Sequence, residues 1–364
     1  MCLIAAGAFA QSPDAAPANA GPTSILVPEP GLGGWSFSGL LDGYYSYGAN
    51  HPGSGINQLR NFDVRANQFG FNMGKVTAEY AKGPFGLRFD VGGGRTFDLV
   101  NGADEAPRFM QNVLQAYGTF KPASAKGLQL DFGKFVTSAG AEVIESNLNW
   151  NYSRSLLFAW TIPFYHFGLR ASMPVNKHFT AGLQVVNGWN NVIDNNSGKT
   201  IGLTGAINAG PVTWTHNYYF GPEKTDTNRG YRHVYDTTAV VAANRFTSFY
   251  INFDYGLDKR IEGGSDKWTG IGGAARFLIS PKIALTPRLE WFNDIDGFST
   301  GTVQQVKEVT LTGEYLFIPG VTGRLEFRRD WSNQPFFDRG DIPGVYKSQT
   351  TVLAGLMLSF APKR

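Results

Sequence analysis

The sequence predicts an all-β protein, a transmembrane antiparallel up-and-down β-barrel of about 16 strands. Three observations predict it. From Trp35 onward apolar and polar residues alternate in segment after segment, giving each strand one greasy and one polar face. The connections alternate between short and long, the pattern of bacterial barrels with short periplasmic turns and long extracellular loops. No run of about 18 apolar residues occurs, which excludes helical spans.

Composition agrees with that class. The 364 residues include 45 glycines and 14% aromatics, yet mean hydropathy is only −0.19 because alternation disperses the apolar residues. With 32 basic and 29 acidic residues the net charge is +3. No clustered basic surface of the kind nucleic acid requires is legible. Residues 1–10 read as a signal peptide ending in Ala8-Phe9-Ala10. That segment lacks a basic beginning, so the start is expected to be truncated or misassigned. Its Cys2 is the single cysteine, and cleavage after Ala10 would leave no thiol for catalysis, zinc or disulfides. Residues 11–33, rich in Pro, Ala and Gly, read as a disordered N-terminal segment, with the barrel over 34–364.

In chain order, Trp35, Phe37, Leu41, Tyr45 and Tyr47 share one face of the first strand, opposite Ser36, Ser38, Asp42 and Ser46. The second, Phe69–Tyr80, begins on Phe69, Phe71 and Met73 and changes phase at Lys75, which predicts a β-bulge. Phe85, Leu87, Phe89 and Val91 alternate with Gly86, Arg88, Asp90 and Gly92 in the third, and Val113–Lys121 forms the fourth. Leu128–Phe135 and Phe164–Met173 are the fifth and sixth, separated by a long polar insert at 136–162. Then come Phe179–Val186, Thr200–Asn208, Val212–Phe220, His233–Ala243, a segment marked by Phe249 to Tyr255, Trp268–Ile279, Ile283–Phe292, Val306–Phe317, Gly323–Asp330 and Ser348–Phe360.

Long loops are expected at 48–66, 98–109, 136–162, 188–199, 221–231, 257–266, 293–303 and 331–347. Closure is expected because an unpaired backbone group in hydrocarbon costs several kcal/mol. Trp35, Tyr47, Trp189, Trp214, Trp291 and Trp331 are candidates for interfacial girdles. In the last strand Val352, Ala354, Leu356, Leu358 and Phe360 share a face. Its Gly355-x-x-Leu358-x-Phe360 ending resembles the C-terminal assembly signal of outer-membrane proteins, which implies the barrel-assembly machinery as a partner. Four residues come after Phe360, where many such endings stop.

A family resemblance rests on the central stretch: Gly127–Lys134, Gly140-Ala141-Glu142, Asn151–Ser155, Pro163, His166, Gly168 and Arg170. Asn187-Gly188-Trp189, Asp194-Asn195-Asn196, Gly198-Lys199 and Glu326-x-Arg328-x-Asp330-x-Ser332 extend it. Together they resemble the β-barrel porin family of the OmpL-like kind. The resemblance implies an outer-membrane pore of a Gram-negative-type bacterium, in contact with outer-membrane lipid and lipopolysaccharide. It also implies passage of small hydrophilic solutes, and a homotrimer by analogy with sixteen-stranded porins. In porins the loop after the fifth strand folds inward, which assigns 136–162 to the constriction.

Polar faces should line water. The expected lumen residues are Arg88 and Asp90, His166 and Arg170, Arg288 and Glu290, Glu308 and Glu314, and Arg324, Glu326, Arg328 and Asp330. Charges of both signs on neighbouring positions suit a transverse field across a narrow pore, or simply pair and stiffen the wall. Glu142, Glu145 and Arg154 are the candidates in the constricting loop, whose bland alternative is a solvated external loop. The expected activity is passive diffusion of small solutes, with a channel selective for sugar, phosphate or organic anions as the alternative. A closed structural or surface-binding barrel and an outer-membrane hydrolase are further alternatives.

A hydrolase would need a nucleophile, base and orienter within hydrogen-bond reach. Ser153 and His166 with a nearby Asn or Glu could mimic one, but there is no Gly-x-Ser-x-Gly elbow, so no catalytic residue is assigned. The five histidines lack metal-ligand spacing, and no cofactor or metal is expected. Gly92-Gly93-Gly94 reads as a strand bend or close approach, and Asp194 to Gly198 as a turn.

Overall fold

The computed structural model describes residues 25–27, 33–103 and 105–362. The expected signal peptide and nearly all of the expected disordered segment lie outside them. Sixteen strands form the wall: β1 Trp35–Gly48, β2 Gln68–Lys82, β3 Phe85–Gly93, β4 Val113–Phe120, β5 Gln129–Val136 and β6 Tyr165–Pro174. They continue with β7 Phe179–Val186, β8 Thr200–Ala209, β9 Val212–Lys224, β10 Thr227–Asn244 and β11 Thr247–Lys259. The last five are β12 Ser265–Ser280, β13 Ile283–Asp294, β14 Gln304–Ile318, β15 Val321–Ser332 and β16 Ser348–Pro362. Each strand pairs antiparallel with the next, and β16 pairs with β1 from Thr351↔Gly48 to Phe360↔Gly39, closing the barrel. A three-residue segment, Ile25–Val27, lies parallel to the end of β16.

Closure explains the composition of the strands. With every ladder group paired, the outward face can be apolar throughout. Phe69, Leu289, Leu325, Leu356 and many similar side chains point outward, while the alternate positions are buried inside. On β15, Leu325 is 63% exposed and its neighbours Arg324 and Glu326 are 4% and 1% exposed. Leu325→Arg should therefore destabilise the barrel in a bilayer by about 2–4 kcal/mol. Urea titration of vesicle-embedded protein measures this; an unchanged midpoint would show that the assigned facing is wrong.

Three local expectations are revised. The bulge on β2 sits at Asn72, before Lys75: Asp42 pairs Met73, Gly43 pairs Phe71, and Asn72 has no partner. Asn72 and Met73 are consequently both inside, so Met73 does not continue the outward Phe69–Phe71 face. The loop expected at 221–231 is mostly strand. There β9 and β10 extend as a hairpin to Lys224↔Thr227, and Asp226 takes the left-handed turn conformation at φ 59°. Trp189 belongs to no girdle; it lies in a loop, edge-on to Trp268 at 6.4 Å and under the Arg232 guanidinium at 4.9 Å.

At Gly92 a Cβ would stand 2.0 Å from the Gly74 carbonyl oxygen, the close approach read from the glycine run. The 194–198 segment is a turn in which Asp194 accepts from the Asn196 amide at 3.0 Å and pairs with Lys199 at 2.5 Å. The wall is uneven in height. Strands β3–β8 have 8 to 10 residues each, whereas β9–β15 have 12 to 18.

Candidate functional site

The segment between β5 and β6, residues 137–164, is folded into the barrel. Its only regular pieces are a short 3-10 turn, Ser146–Leu148, and a helical turn, α1, Leu156–Trp160. Such irregular chain must find partners for its backbone groups when removed from water, and the inner wall supplies them. Arg324 donates to the carbonyls of Ser146, Asn149 and Asn151 at 2.7, 2.5 and 3.0 Å. Arg328 donates to the Arg154 carbonyl at 2.7 Å, and Arg288 to that of Ser153 at 2.7 Å.

Glutamates take the amides. Glu326 accepts from Tyr152 and Ser153 at 2.7 and 3.0 Å, and Glu290 from Leu156 and Leu157 at 2.7 and 3.3 Å. Glu142 accepts from the Ser155 amide at 2.6 Å. Glu142 and Glu290 thus occupy the start of α1, whose free N–H groups favour negative charge. Ser155 completes the cap by accepting from Phe158 at 3.0 Å.

The charged wall is also paired within itself. Arg288 contacts Glu142 at 2.7 Å, Glu308 at 3.0 Å and Glu290 at 3.7 Å. Arg324 meets Glu314 at 2.7 Å and Arg328 meets Asp330 at 2.9 Å. Across the barrel Arg88 pairs with Asp90 at 3.1 Å and with Glu79 at 2.8 Å, and Arg170 with Asp131 at 2.7 Å. Glu145 forms a short contact with Lys75, which also reaches Asp90 at 3.3 Å.

The charged residues and the histidine expected at the lumen or in the insert are buried or nearly so, and most fall into two groups. Glu142, Arg288, Glu290, Arg324, Glu326, Arg328 and Asp330 meet at or beside the insert. Arg88, Asp90, His166 and Arg170 lie on the low side of the wall, where only Asp90 joins the insert, through Lys75 and Glu145. Arg154 donates to the carbonyls of Tyr152 and Ile144, and its guanidinium lies 4.5 Å from the Phe62 ring centre. Ser153 and His166 are not brought together. The serine hydroxyl meets Arg288 and Arg328 at 3.2 and 3.3 Å, while His166 Nδ1 meets the Gly188 carbonyl at 3.0 Å.

Sequence reasoning missed several anchors. Asp42 accepts from the Tyr152 hydroxyl at 2.6 Å and from Ser146 at 2.6 Å. The neck of the insert is held where Thr161 donates to Asp254, Trp268 donates to the Thr161 carbonyl at 3.1 Å, and Asn252 faces the Ala141 amide at 3.4 Å. Gly355 makes room for the insert: a Cβ there would stand 2.5 Å from the Tyr152 ring. Only the polar alternation of each strand could have signalled these positions.

Burial, then the Asp42 carboxylate, push the Tyr152 phenol well above its ordinary value of 10.0. A raised folded pKa means a contribution to stability that is full below the ordinary value and lost as pH climbs beyond it. Tyr152→Phe should cost about 1.5–3 kcal/mol near neutrality. Between about pH 8 and pH 11 the parent should lose more stability than the variant. Urea midpoints of the two proteins at both pH values check this, and parallel losses would contradict it.

A closed antiparallel wall, apolar outside and charged within, with a long segment folded inside, defines an outer-membrane porin-type channel. Residues 34–360 match the family described as "Putative beta-barrel porin-2, OmpL-like", and the chain belongs to it. The protein is accordingly an outer-membrane β-barrel of the porin class.

Solved structures share the fold at low identity. The outer membrane channel DcaP of Acinetobacter baumannii is 10% identical with a TM-score of 0.62, covering 92% of this chain and 100% of that one. An anion-selective porin from Comamonas acidovorans is 12% identical with a TM-score of 0.61, covering 90% and 99%. The trimer form of OmpT from Vibrio cholerae is 12% identical with a TM-score of 0.56, covering 90% and 99%. No curated protein matches the sequence.

Proposed function

We propose that the protein lets small hydrophilic solutes and ions cross the outer membrane by passive diffusion, with Glu142, Glu145 and Arg154 at the constriction. The observation that carries this reading is the polar inner wall. Its arginines and glutamates hold the insert on one side, and Asp90, His166 and Arg170 are buried on the inner face of the low wall. Because most of these charges are paired, selectivity is set by a small residue of charge, near neutral or weakly favouring anions.

A second reading, a channel selective for a sugar, phosphate or organic anion, is favoured by one feature. The wall side chains at mid-height are almost wholly covered, with Arg288 and Arg328 each 1% exposed, so the passage is narrow. Refolded protein in a planar bilayer tests both. Ohmic single-channel steps with weak ion preference support diffusion, and block by one solute class supports the selective channel. Persistent silence from folded protein contradicts both.

The low wall suggests how copies assemble. Strands of 8 residues tilted at about 45° rise only about 19 Å, short of an apolar band about 25 Å tall. Covering that sector with further copies would relieve the mismatch, which supports a homotrimer, with lipid and lipopolysaccharide around the taller strands. Light scattering in mild detergent would give three copies per particle; a monomer would count against it.

A further inference from the structure

The first external loop, residues 49–67, is built the wrong way round for a surface loop. Loop tips ordinarily carry the greatest exposure. Here the base is open, with His51, Gly53 and Ser54 exposed, and the tip is buried, with Leu59, Arg60, Phe62 and Asp63 at 5%, 5%, 0% and 2%. A bridge between Ile56 and Arg65 and a bond from the Asn57 amide to the Val64 carbonyl at 2.8 Å close the neck. Leu59 holds a positive φ of 57° at the tip, a conformation that persists only where surroundings enforce it.

The surroundings are the barrel wall on one side and the insert on the other. Arg60 reaches Asp330 at 3.1 Å and the Thr351 hydroxyl at 3.0 Å, and pairs within the loop to Asp63 at 2.6 Å. Gln349 on β16 exchanges bonds with the Gln58 backbone at 3.0 and 2.8 Å. Towards the insert, Asn61 donates to the Ala159 carbonyl at 2.8 Å and Trp160 to that of Leu59 at 3.3 Å. Phe62 packs on Phe158 and Phe164, with ring centres 6.0 and 5.8 Å away.

Phe62 also covers Arg154. Among the described residues no carboxylate lies within ion-pair distance of this guanidinium, unlike those of Arg288, Arg324 and Arg328. It is balanced only by two carbonyls and the face of Phe62, and its Nε has no partner. An aromatic face satisfies a cation well only while water is kept away. Removing the ring would leave a positive charge beside the insert with no carboxylate to balance it.

We propose that the first external loop is a removable cap on the constriction, and that lifting it both widens the passage and exposes Arg154 as an anion-selecting charge. The inference rests on the channel reading above and adds to it a gate and the residue that sets selectivity when the gate is open. The cap's grip is local: the Arg60 clasp on Asp330 and Thr351, the paired Gln349–Gln58 bonds, two side-chain bonds between loop and insert, and the Phe62 ring.

The test uses refolded full-length protein with residues 58–63 replaced by Gly-Gly, a link suited to the tight turn that the bridged neck requires. Phe62→Ser is the milder companion should the shortened loop fold poorly. Single-channel conductance should rise about twofold or more, and the reversal potential in a salt gradient should move towards anion preference. Adding Arg154→Gln should leave the conductance gain and remove the anion shift. Unchanged conductance in the loop variants, or an anion shift that survives Arg154→Gln, would overturn the proposal.

A readout independent of current separates this from failure of the channel reading. In a Cys2→Ser background, Arg154→Cys should resist a negatively charged thiol reagent with the loop intact and react once the loop is shortened. Reaction without conductance would leave the cap standing and remove the channel. Equal reactivity with and without the loop would remove the cap.

Discussion

Arg288→Met is expected to lower the unfolding free energy by about 3–5 kcal/mol, the usual cost of stripping one partner from a buried ion cluster. Arg288 is 1% exposed and stands among Glu142, Glu290 and Glu308, with the Ser153 carbonyl as a further acceptor. Methionine fills much of the same volume, so packing is largely kept and the loss is electrostatic. Three carboxylates would remain in one water-poor place with less positive charge to hold them. Glu142 is the partner carried by the insert, and Glu142→Gln on the Arg288→Met background should recover part of the loss. That recovery is the coupling a double-mutant cycle isolates. Reversible urea unfolding monitored by tryptophan fluorescence measures all four proteins. A single-variant loss below about 1 kcal/mol would mean that solvent reaches the cluster and that the insert is loosely seated.

Much of this arrangement was legible from periodicity, for a physical reason. A strand between hydrocarbon and a polar lumen is constrained at every residue, so Arg324, Glu326, Arg328 and Asp330 declare their facing through Leu325, Phe327 and the other outward residues between them. The same rule failed at β2, because one extra residue at Asn72 reverses the facing of the rest of the strand, and Met73 looks equally at home on either side. It also failed between β9 and β10. There Gly221, Pro222 and Asp226 read as loop, yet pairing carries the ladder through to Lys224.

The deeper omission was the first loop. Arg60 and Asp63 look like ordinary surface charges, and their burial depends on Asp330 and Thr351, 270 and 291 residues away from Arg60 along the chain. A faint local sign existed. Leu59 and Phe62 are apolar at a loop tip, where nothing in an exposed loop would hold them.

Glu326→Ala carries the second large expectation, because its carboxylate serves the insert's backbone instead of another charged side chain. It accepts from the amides of Tyr152 and Ser153 and from the Thr312 hydroxyl at 2.7 Å, and it is 1% exposed. Alanine leaves two buried N–H groups without acceptors, each costing about 1–3 kcal/mol. It also releases Thr312, which in turn receives a bond from Asn151 at 2.7 Å. The stretch from Asn149 to Arg154 would then be held mainly by Arg288, Arg324 and Arg328 through its carbonyls and by Asp42 through the Tyr152 hydroxyl. Glu326→Gln separates charge from shape: its oxygen can serve one amide, but its amino group must face the other, so about half the loss should return. The same geometry has a functional consequence. An insert freed at Tyr152 and Ser153 can sample more positions in the lumen, and single-channel records of Glu326→Ala should show added current noise at unchanged charge elsewhere in the wall. Parental stability together with quiet records would mean that the arginine contacts alone position the insert, and that the glutamates of β13 and β15 balance charge without holding the chain.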